Sequence, residues 1–476
     1  MKFKQGISPN QEVLIPKKAS DFLPEDHLAK IIYLIVDKLD IFPIINKYSK
    51  MGQNAYNPRM LIRLLFYHYS IGICSSRKIS KSCYERLDTR YLSDGLQPSH
   101  DRISDFRKDN LEDLKDLFSQ IVLIGFELGL INMTNINTSI DGSKLKANAS
   151  GKLSKTEEQF AKLLEKTNEE ISLLLKKAEE ADIKESELLN KSKISKKLKS
   201  KISRKAAIEK AIQKVKQKKE LLQHNLMEHR RKNVKPPELS KTELNRINNQ
   251  KINTTDNEAN FMKQRNGLIK PAYNCQVSVD EKEQFILANN VTMDCNDQHQ
   301  LILMIQKTIK NIGCMPKSVK GDNGYYPELD LAIRFFPEIN LFIDDKNRRN
   351  KEIDINKLQK KYSKEELWNL FKLLSKEGEE EYKKRMFTVE PIFGNLKENS
   401  GIKTFLLRGI FDVKGEFNLM CIGHNLKKIV NFISKNNIPI ALAMQKIQKK
   451  QQICENIALK LICSIKNAKI FLAKFI

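Results

Sequence analysis

The chain lacks the cysteine and histidine spacings that hold zinc. Its 476 residues contain no CxxC pair and no Cys/His ligand pattern among seven His. Eight Cys stand singly, at positions 74, 83, 275, 295, 314, 421, 454 and 463. Isolated thiols of this kind are typical of a reducing compartment, and they argue against a disulfide framework and a zinc site.

Long uncharged apolar runs are also missing. A membrane-spanning helix needs roughly 18 or more such residues, so no membrane span and no membrane partner are expected. The first residues, MKFKQGISPNQEV, lack the apolar segment of a signal peptide. The sequence therefore predicts a cytoplasmic protein.

Acidic residues are scarce relative to basic ones. Lys and Arg number 84 against 58 Asp and Glu, which gives a formal net charge of +26. Such a surplus favours a polyanionic partner, most commonly nucleic acid. A Lys-rich surface from an AT-rich genome is the alternative, and charge alone does not choose between them.

Residues 1–130 have apolar residues at helical spacing and predict a helical N-terminal domain. Pro58 suits the first turn of one helix, and Ser75 can cap the next. This helix, turn, helix order resembles a DNA-binding module, although any small helical domain could show it. The possible DNA contacts here are Arg77, Lys78, Arg102 and Arg107.

Residues 151–255 have many charges, spaced apolar residues and few Gly or Pro. This composition predicts a basic helical insertion, either long surface helices or a coiled-coil hairpin. It is either a solvated insertion or a basic arm lying along DNA or a helical partner.

Residues 131–150 and 256–430 combine strand and helix patterns. The order is strand, insertion, hairpin, helix, strand, helix, strand, helix, which predicts a mixed α/β (α+β) core with a mixed central sheet flanked by helices. Residues 431–476 predict C-terminal helices.

Three acidic residues in this core are far apart in sequence. Asp141 ends the run NTSI, Asp322 follows SVKG, and Glu390 lies in a helical stretch. Carboxylates at two strand ends and on a later helix can converge on one point. Clustered carboxylates repel one another unless cations lie between them, so the pattern predicts an Mg²⁺ site in which Mn²⁺ can substitute.

Several strings in this order resemble one known family. They are AYNPRMLIRLLFYHYSIGICSSRKI, PSHDRISDFR, SIDGSKLKANAS, LIKPAYNCQVSVDEK, VTMDCNDQHQL, GDNGYY, VEPIFGNLK, LLRGI and CIGHNLKK. Together they resemble bacterial insertion-sequence transposases of the DDE type with an InsH-like N-terminal domain. The resemblance covers most of the chain, but little of residues 151–255 or of the tail after about residue 430.

The resemblance implies a ribonuclease H-like catalytic core in which Asp141, Asp322 and Glu390 are the catalytic, metal-binding acids. It also implies that Tyr382, Arg385 and Lys397 act beside Glu390 in a helix signature. Four residues separate Arg385 from Glu390, where the usual signature has three.

Further cations near these motifs, Lys144, Lys146 and Arg408, are predicted to contact DNA together with Tyr382, Arg385 and Lys397. The implied activity is binding of terminal inverted repeats, followed by Mg²⁺-dependent cleavage and strand transfer into target DNA. Such an enzyme would work as a dimer at the nucleoid. The alternatives are a metal-dependent nuclease on the same fold, a catalytically silent DNA-binding relative, and a coiled-coil scaffold.

Overall fold

The structure, a computed structural model, describes residues 18–49, 54–132, 135–183, 188–232, 238–264, 266–349, 358, 362–399 and 401–447. Residues 440–447 are helical, and the rest of the expected C-terminal helices lies outside the described residues. So do Cys454 and Cys463.

The N-terminal part is helical, as predicted. Its helices are α1 (Leu28–Lys38), α2 (Phe42–Ile45), α3 (Pro58–Ser70), α4 (Ser76–Glu85), α5 (Leu87–Leu92), α6 (His100–Asp109) and α7 (Leu111–Glu127), after a 3₁₀ turn at Ala19–Phe22. Pro58 is the first residue of α3, and the Asn57 side chain caps that helix by accepting from Arg59 N–H. Ser75 stands at the N-cap of α4, but its side chain makes no capping hydrogen bond.

The strands are β1 (Asn137–Lys146), β2 (Ser154–Lys155), β3 (Ile252–Asn253), β4 (Asn260–Lys263), β5 (Ile269–Asp280), β6 (Ile286–Thr292), β7 (Ser318–Gly321) and β8 (Asn340–Ile343). Within the described residues, six of them form a mixed sheet in the order β4-β5-β1-β7-β8, with β6 also paired to β5. β5 runs antiparallel to β1, β4 and β6, whereas β7 is parallel to β1 and β8 is parallel to β7. The protein is thus a mixed α/β structure, as the sequence predicts.

The remaining helices surround this sheet or extend from it. They are α8 (Glu157–Ile183), α9 (Leu188–Lys232), α10 (Lys241–Asn248), α11 (Leu301–Ile312), α12 (Leu329–Phe335), α13 (Lys364–Leu374), α14 (Lys376–Thr388), α15 (Glu390–Gly394) and α16 (Ile410–Lys435). Helix α11 ends at Gly313, whose φ of 75° is the left-handed conformation that a side chain disfavours.

Helices α8 and α9 pack on one another between β1 and the hairpin, where the insertion was predicted. A small separate core, formed by Phe160, Ile208, Ala211, Val215 and Ile252, holds them together. Ion pairs add to this contact, among them Lys219 with Glu157 at 2.7 Å. The short β2–β3 ribbon closes the base of the insertion.

A shared hydrophobic core joins the N-terminal helices to the sheet. It contains side chains from α1, α3, α7, β5, β6 and α16. Helix α16 packs against α3, α7 and β6. From α16, the Asn425 amide accepts from the backbone N–H of Ile286 at 2.9 Å and donates to its carbonyl at 2.8 Å. These two bonds fix the helix against the start of β6.

His68 in α3 predicts how stability depends on pH. Burial lowers its pKa to about 4 from an ordinary 6.5, so the folded protein binds this proton less readily than the unfolded chain. Stability is therefore fully present above pH 6.5 and is lost as the pH falls from 6.5 towards 4. We expect protonation of His68 in the unfolded chain to lower the free energy of unfolding by about 2 kcal/mol between about pH 7 and pH 5.

Urea unfolding at both pH values, with wild type and His68→Gln, measures this loss. The variant should show a smaller decrease in unfolding free energy between the two pH values, even if it is less stable at both. Equal decreases in the two proteins would contradict a buried, neutral His68.

None of the helices in the described ranges has the length and apolarity that crossing a membrane requires.

Candidate active site

Strands β1 and β7 bring Asp141 and Asp322 together. Their parallel pairing sets Ser139 opposite Lys320, and the same register carried two residues further sets Asp141 beside Asp322. Asp322 directly follows β7, as predicted. Asp141 does not end its strand, because β5 pairs with β1 as far as Lys146, so that part of the prediction is wrong.

Arg385 on α14 joins the two acids. Its Nη2 lies 2.8 Å from Asp141 Oδ1 and 3.7 Å from Asp322 Oδ2. The side chains of Arg385 and Asp141 are only 12% and 14% exposed, whereas that of Asp322 is 39% exposed. Two acids remote in sequence therefore share one cation at the opening of the site.

A buried lysine on β7 places this arginine. Lys320 Nζ lies 2.6 Å from Glu281 and 2.9 Å from Glu381, and its side chain is fully buried. Glu381 precedes Arg385 by four residues on α14, so the two side chains lie on the same face of the helix. The Lys320–Glu381 contact thus turns Arg385 towards Asp141.

Both acids are poorly solvated as anions. The pKa of Asp141 is raised to about 6, chiefly by burial; the Arg385 guanidinium lowers it, and the Asp322 carboxylate raises it. The pKa of Asp322 is also raised, again chiefly by burial, with Arg385 lowering it and Asp297 raising it. A cation of higher charge between the two would relieve this cost.

Asp297, which was not singled out in the sequence, lies beside Asp322. It follows β6 in the quoted string VTMDCNDQHQL. Its Oδ1 accepts from Asn274 Nδ2 at 2.8 Å and from Gln276 Nε2 at 2.6 Å, and its Oδ2 lies 3.8 Å from Lys144 Nζ. β6 and β7 both run parallel to β1, so the chain leaves β6 and β7 at the same edge of the sheet. This topology could have indicated Asp297.

Glycine is required where these segments meet. A Cβ atom built on Gly142 would lie 2.3 Å from Asp297 Oδ1 and 2.3 Å from Gln276 Nε2. One built on Gly324 would lie 2.9 Å from Asp322 Oδ1 and 3.3 Å from Asp297 Oδ2. The two 2.3 Å distances and the 2.9 Å distance are shorter than ordinary van der Waals contacts, which explains the Gly in Asp-Gly-Ser and in Asp-Asn-Gly.

The structure does not bring Glu390 to the acid pair. Its side chain is exposed, and across the described ranges no three His, Cys, Asp or Glu side chains are arranged to hold a metal ion. The expected convergence of three acids is therefore absent from this conformation. Helix α14 ends at Thr388 and α15 begins at Glu390, with Val389 between them in a right-handed helical conformation.

The lysines near the pair contact β1. Lys397 Nζ donates to Ser143 Oγ at 2.6 Å and to the Lys144 carbonyl at 3.0 Å. Lys144 is partly exposed beside Asp297. Lys146 is half-buried at the end of β1, where its carbonyl accepts from Phe405 N–H at 3.0 Å.

Two predicted DNA contacts prove to be packing residues. Tyr382 is buried beside Phe342 and Leu373, with the Arg348 guanidinium 4.5 Å above its ring. Arg107 is also buried, and it donates to the Tyr69 hydroxyl and to a backbone carbonyl, each at 2.9 Å. A DNA contact by either side chain stays a prediction.

The other predicted contacts are on the surface. Arg77 and Lys78 are exposed on α4, and Arg102 is exposed on α6. Arg408 is exposed, and its Nε donates to the Asn148 carbonyl at 3.2 Å.

Two regions of the chain match known protein families. Residues 17–109 match a transposase domain (DUF772), and residues 345–430 match a transposase DDE domain. The second region holds Arg385, Glu390 and Lys397, whereas Asp141 and Asp322 lie outside it. Curated proteins and solved structures gave no significant match.

Proposed function

We propose that this chain, which belongs to the insertion-sequence transposases of the DDE type, uses Asp141 and Asp322 to cut and join DNA with divalent cations. The observation that carries the proposal is the single guanidinium shared by these two acids. The DDE domain implies DNA transposase activity. The assignment of residues, cations and DNA ends is the proposed part.

The sheet supports a ribonuclease H-like core. β1, β5 and β6 are successive antiparallel neighbours, and β7 and β8 then continue the sheet parallel to β1 on its other side. In this order the chain passes from β1 to β7 through the whole insertion and the β5–β6 hairpin. We propose that residues 131–150 and 256–430 form this core, with the helical domain of residues 1–130 and the insertion of residues 151–255 attached to it.

The residues of the pair suit a magnesium site. Mg²⁺ prefers carboxylate oxygen ligands, and burial raises the pKa of both acids, so added positive charge stabilises their ionised forms. Arg385 now supplies part of that charge. Asp141 and Asp322 would hold Mg²⁺, and Mn²⁺, which takes the same ligands, can replace it.

When bound, the cations stabilise negative charge on the attacking and leaving oxygens of an in-line displacement. The residues of the site would hold the DNA backbone beside the cations. The reaction requires no covalent protein–DNA intermediate. Water attacks the phosphodiester at the element end, and the freed 3′-hydroxyl then attacks target DNA in the same site. Lys144 on β1, and Lys397, whose Nζ bonds to Ser143 of β1, would contact a phosphate beside the acids.

Glu390 is proposed as the third acid, acting in the DNA-bound form. It lies between Arg385 and Lys397, and both of those side chains contact β1. Val389 separates Glu390 from the end of α14, so a small change in backbone conformation at this junction would turn the Glu390 carboxylate in another direction.

Exposed and half-buried cations supply the proposed DNA surface. Arg77, Lys78 and Arg102 would contact the terminal inverted repeats, and Lys146 and Arg408 would contact DNA near the acids. Two ends must be held together for transposition, so we propose that the working complex contains a dimer.

A strand-transfer assay tests the proposal and separates it from a nuclease on the same fold. The substrate is a DNA duplex that carries the terminal inverted repeat of the element, together with a supercoiled target plasmid and Mg²⁺. A transposase joins the 3′ end to the plasmid, whereas a nuclease only shortens the duplex. Cleavage without joining would reject the transfer step. If the protein bound the ends but formed neither product, it would be a catalytically silent DNA-binding relative.

Binding to DNA ends should weaken steeply with salt, because each neutralised phosphate releases counterions. We expect the Arg77→Ala/Lys78→Ala variant to bind more weakly, and its salt slope between about 50 and 200 mM to fall by roughly 2. The matched control is Lys196→Ala/Lys197→Ala on α9, which removes two exposed charges from the insertion. It should keep the wild-type slope.

The opposite result, in which only the α9 variant loses DNA affinity, would show that the insertion binds the DNA ends. Fluorescence anisotropy with a labelled end duplex measures both slopes. A wild-type affinity that does not change with salt would contradict the electrostatic basis of binding.

A further inference from the structure

Asp297 is a third carboxylate at the opening of the site. Its Oδ1 accepts two amide hydrogen bonds, from Asn274 and Gln276, so the orientation of the whole carboxylate is fixed. This leaves Oδ2 on the side of Lys144 and Asp322.

Asp322 lies between Arg385 and Asp297. Arg385 Nη2 lies 3.7 Å from Asp322 Oδ2. On the other side, a Cβ atom built on Gly324 would lie 2.9 Å from Asp322 Oδ1 and 3.3 Å from Asp297 Oδ2. Asp322 therefore has Arg385 near one oxygen and Asp297 near the other, so a cation beside Asp322 would be within reach of the Asp297 charge.

A buried, unsatisfied oxygen lies on the Gly142 side of Asp297. Asn274 is fully buried, and its Nδ2 donates to Asp297 and to the Asn296 carbonyl. Its Oδ1 finds no donor among the described residues. A Cβ atom built on Gly142 would lie 3.1 Å from this oxygen and 2.3 Å from Asp297 Oδ1. Buried oxygens normally have a partner, so this one indicates a water or a cation.

We propose that Asp297 is a further acidic residue of the active site, and that its carboxylate strengthens the binding of a divalent cation beside Asp322. The inference rests on the proposed function, because it assigns Asp297 to the same cation site. Lys144, 3.8 Å from Asp297 Oδ2, neutralises part of its charge in the absence of the cation.

Two substitutions separate charge from shape. Asp297→Asn keeps the shape and one acceptor oxygen for Asn274 and Gln276 but removes the charge. Asp297→Glu keeps the charge but adds a methylene in a tight place between Gly142 and Gly324. The control is Asp294→Asn, three residues earlier in the same loop, where the carboxylate is exposed and accepts from Thr292.

The first measurement is Mn²⁺ affinity without DNA, from the electron paramagnetic resonance signal of the free ion. The second is the Mg²⁺ concentration for half-maximal cleavage of an end duplex. We expect Asp297→Asn to weaken Mn²⁺ binding and to raise the required Mg²⁺ by roughly tenfold, the scale of losing a ligand-supporting residue. Asp297→Glu should lie closer to wild type, and Asp294→Asn should match it.

A purely structural role gives the reverse order, with Asn closer to wild type than Glu, and this would overturn the inference. Wild-type Mn²⁺ affinity in Asp297→Asn would overturn it as well. Failure of the proposed function looks different, because wild type itself would then cleave no end duplex. The Mn²⁺ affinities would still decide the role of Asp297.

Discussion

Asp322→Asn should abolish cleavage while DNA ends are bound as tightly as by wild type. The amide oxygen of Asn can still accept from Gly324 N–H, the 2.9 Å bond that caps the turn after β7, so the fold is preserved. The substitution removes one of the two negative charges around Arg385 and with it the proposed cation ligand. We expect the cleavage rate to fall roughly 10³-fold, the scale of losing one preorganised electrostatic group.

Cleavage is measured on an end duplex with Mg²⁺, and binding is measured separately with EDTA present. The control is Asp330→Asn on α12, which removes a nearby carboxylate whose partner is the exposed Arg334. That variant should cut at the wild-type rate. Wild-type cutting by Asp322→Asn would refute the assignment of the site.

Strand pairing explains why this part of the site was predictable. Parallel neighbours end at the same edge of a sheet, so an acid after β7 had to approach an acid on β1. The hairpin from β5 to β6 was also predictable, because its turn residues, Glu281 to Glu283, separate two apolar runs. The long insertion did not obscure this order, since its composition differs from that of the strands.

Tertiary contacts explain what the sequence did not reveal. Arg107 and Tyr382 look like DNA contacts in a chain of net charge +26, and only the fold shows them buried against Tyr69 and Phe342. Asp297 has no special local pattern. Its role depends on amides from a neighbouring strand, and such cross-strand contacts cannot be read from one segment.

Helix geometry explains why the direction of the Glu390 carboxylate could not be predicted. A continuous helix from Arg385 to Lys397 would fix the relative directions of all side chains between them. In the structure α14 instead ends at Thr388 and a short helix begins at Glu390, with Pro391 in its first turn. Sequence spacing alone therefore could not show which way the Glu390 carboxylate points.

Arg385→Gln should destabilise the metal-free protein, and Mg²⁺ should restore its stability. Removing the guanidinium leaves Asp141 and Asp322 as like charges in a poorly solvated place, and breaking a buried pair in this way costs about 3–5 kcal/mol. A divalent cation replaces the lost charge and stabilises the folded state by mass action. The Mg²⁺-induced rise in Tm should therefore be larger in the variant than in wild type.

The dependence on pH has a definite sign. A raised carboxyl pKa means that the folded state keeps a proton that the unfolded chain releases, so stability falls as the pH rises from 3.8 to about 6. Loss of Arg385, which lowers the pKa of Asp141, should enlarge this fall. Arg385→Gln should therefore be closest to wild type in acid and furthest from it at neutral pH.

Thermal unfolding with EDTA or Mg²⁺ measures these effects, and Arg348→Gln is the matched control. Arg348 is also a partly buried guanidinium, but it pairs with Asp344 at 2.8 Å. Its loss should lower the Tm without creating a response to Mg²⁺. Arg385→Lys, which retains the charge, should lie between wild type and Arg385→Gln. If Mg²⁺ raised the Tm of Arg385→Gln no more than that of Arg348→Gln, Arg385 would not occupy the place of a cation. Arg385 and Asp141 would then be an ordinary buried ion pair.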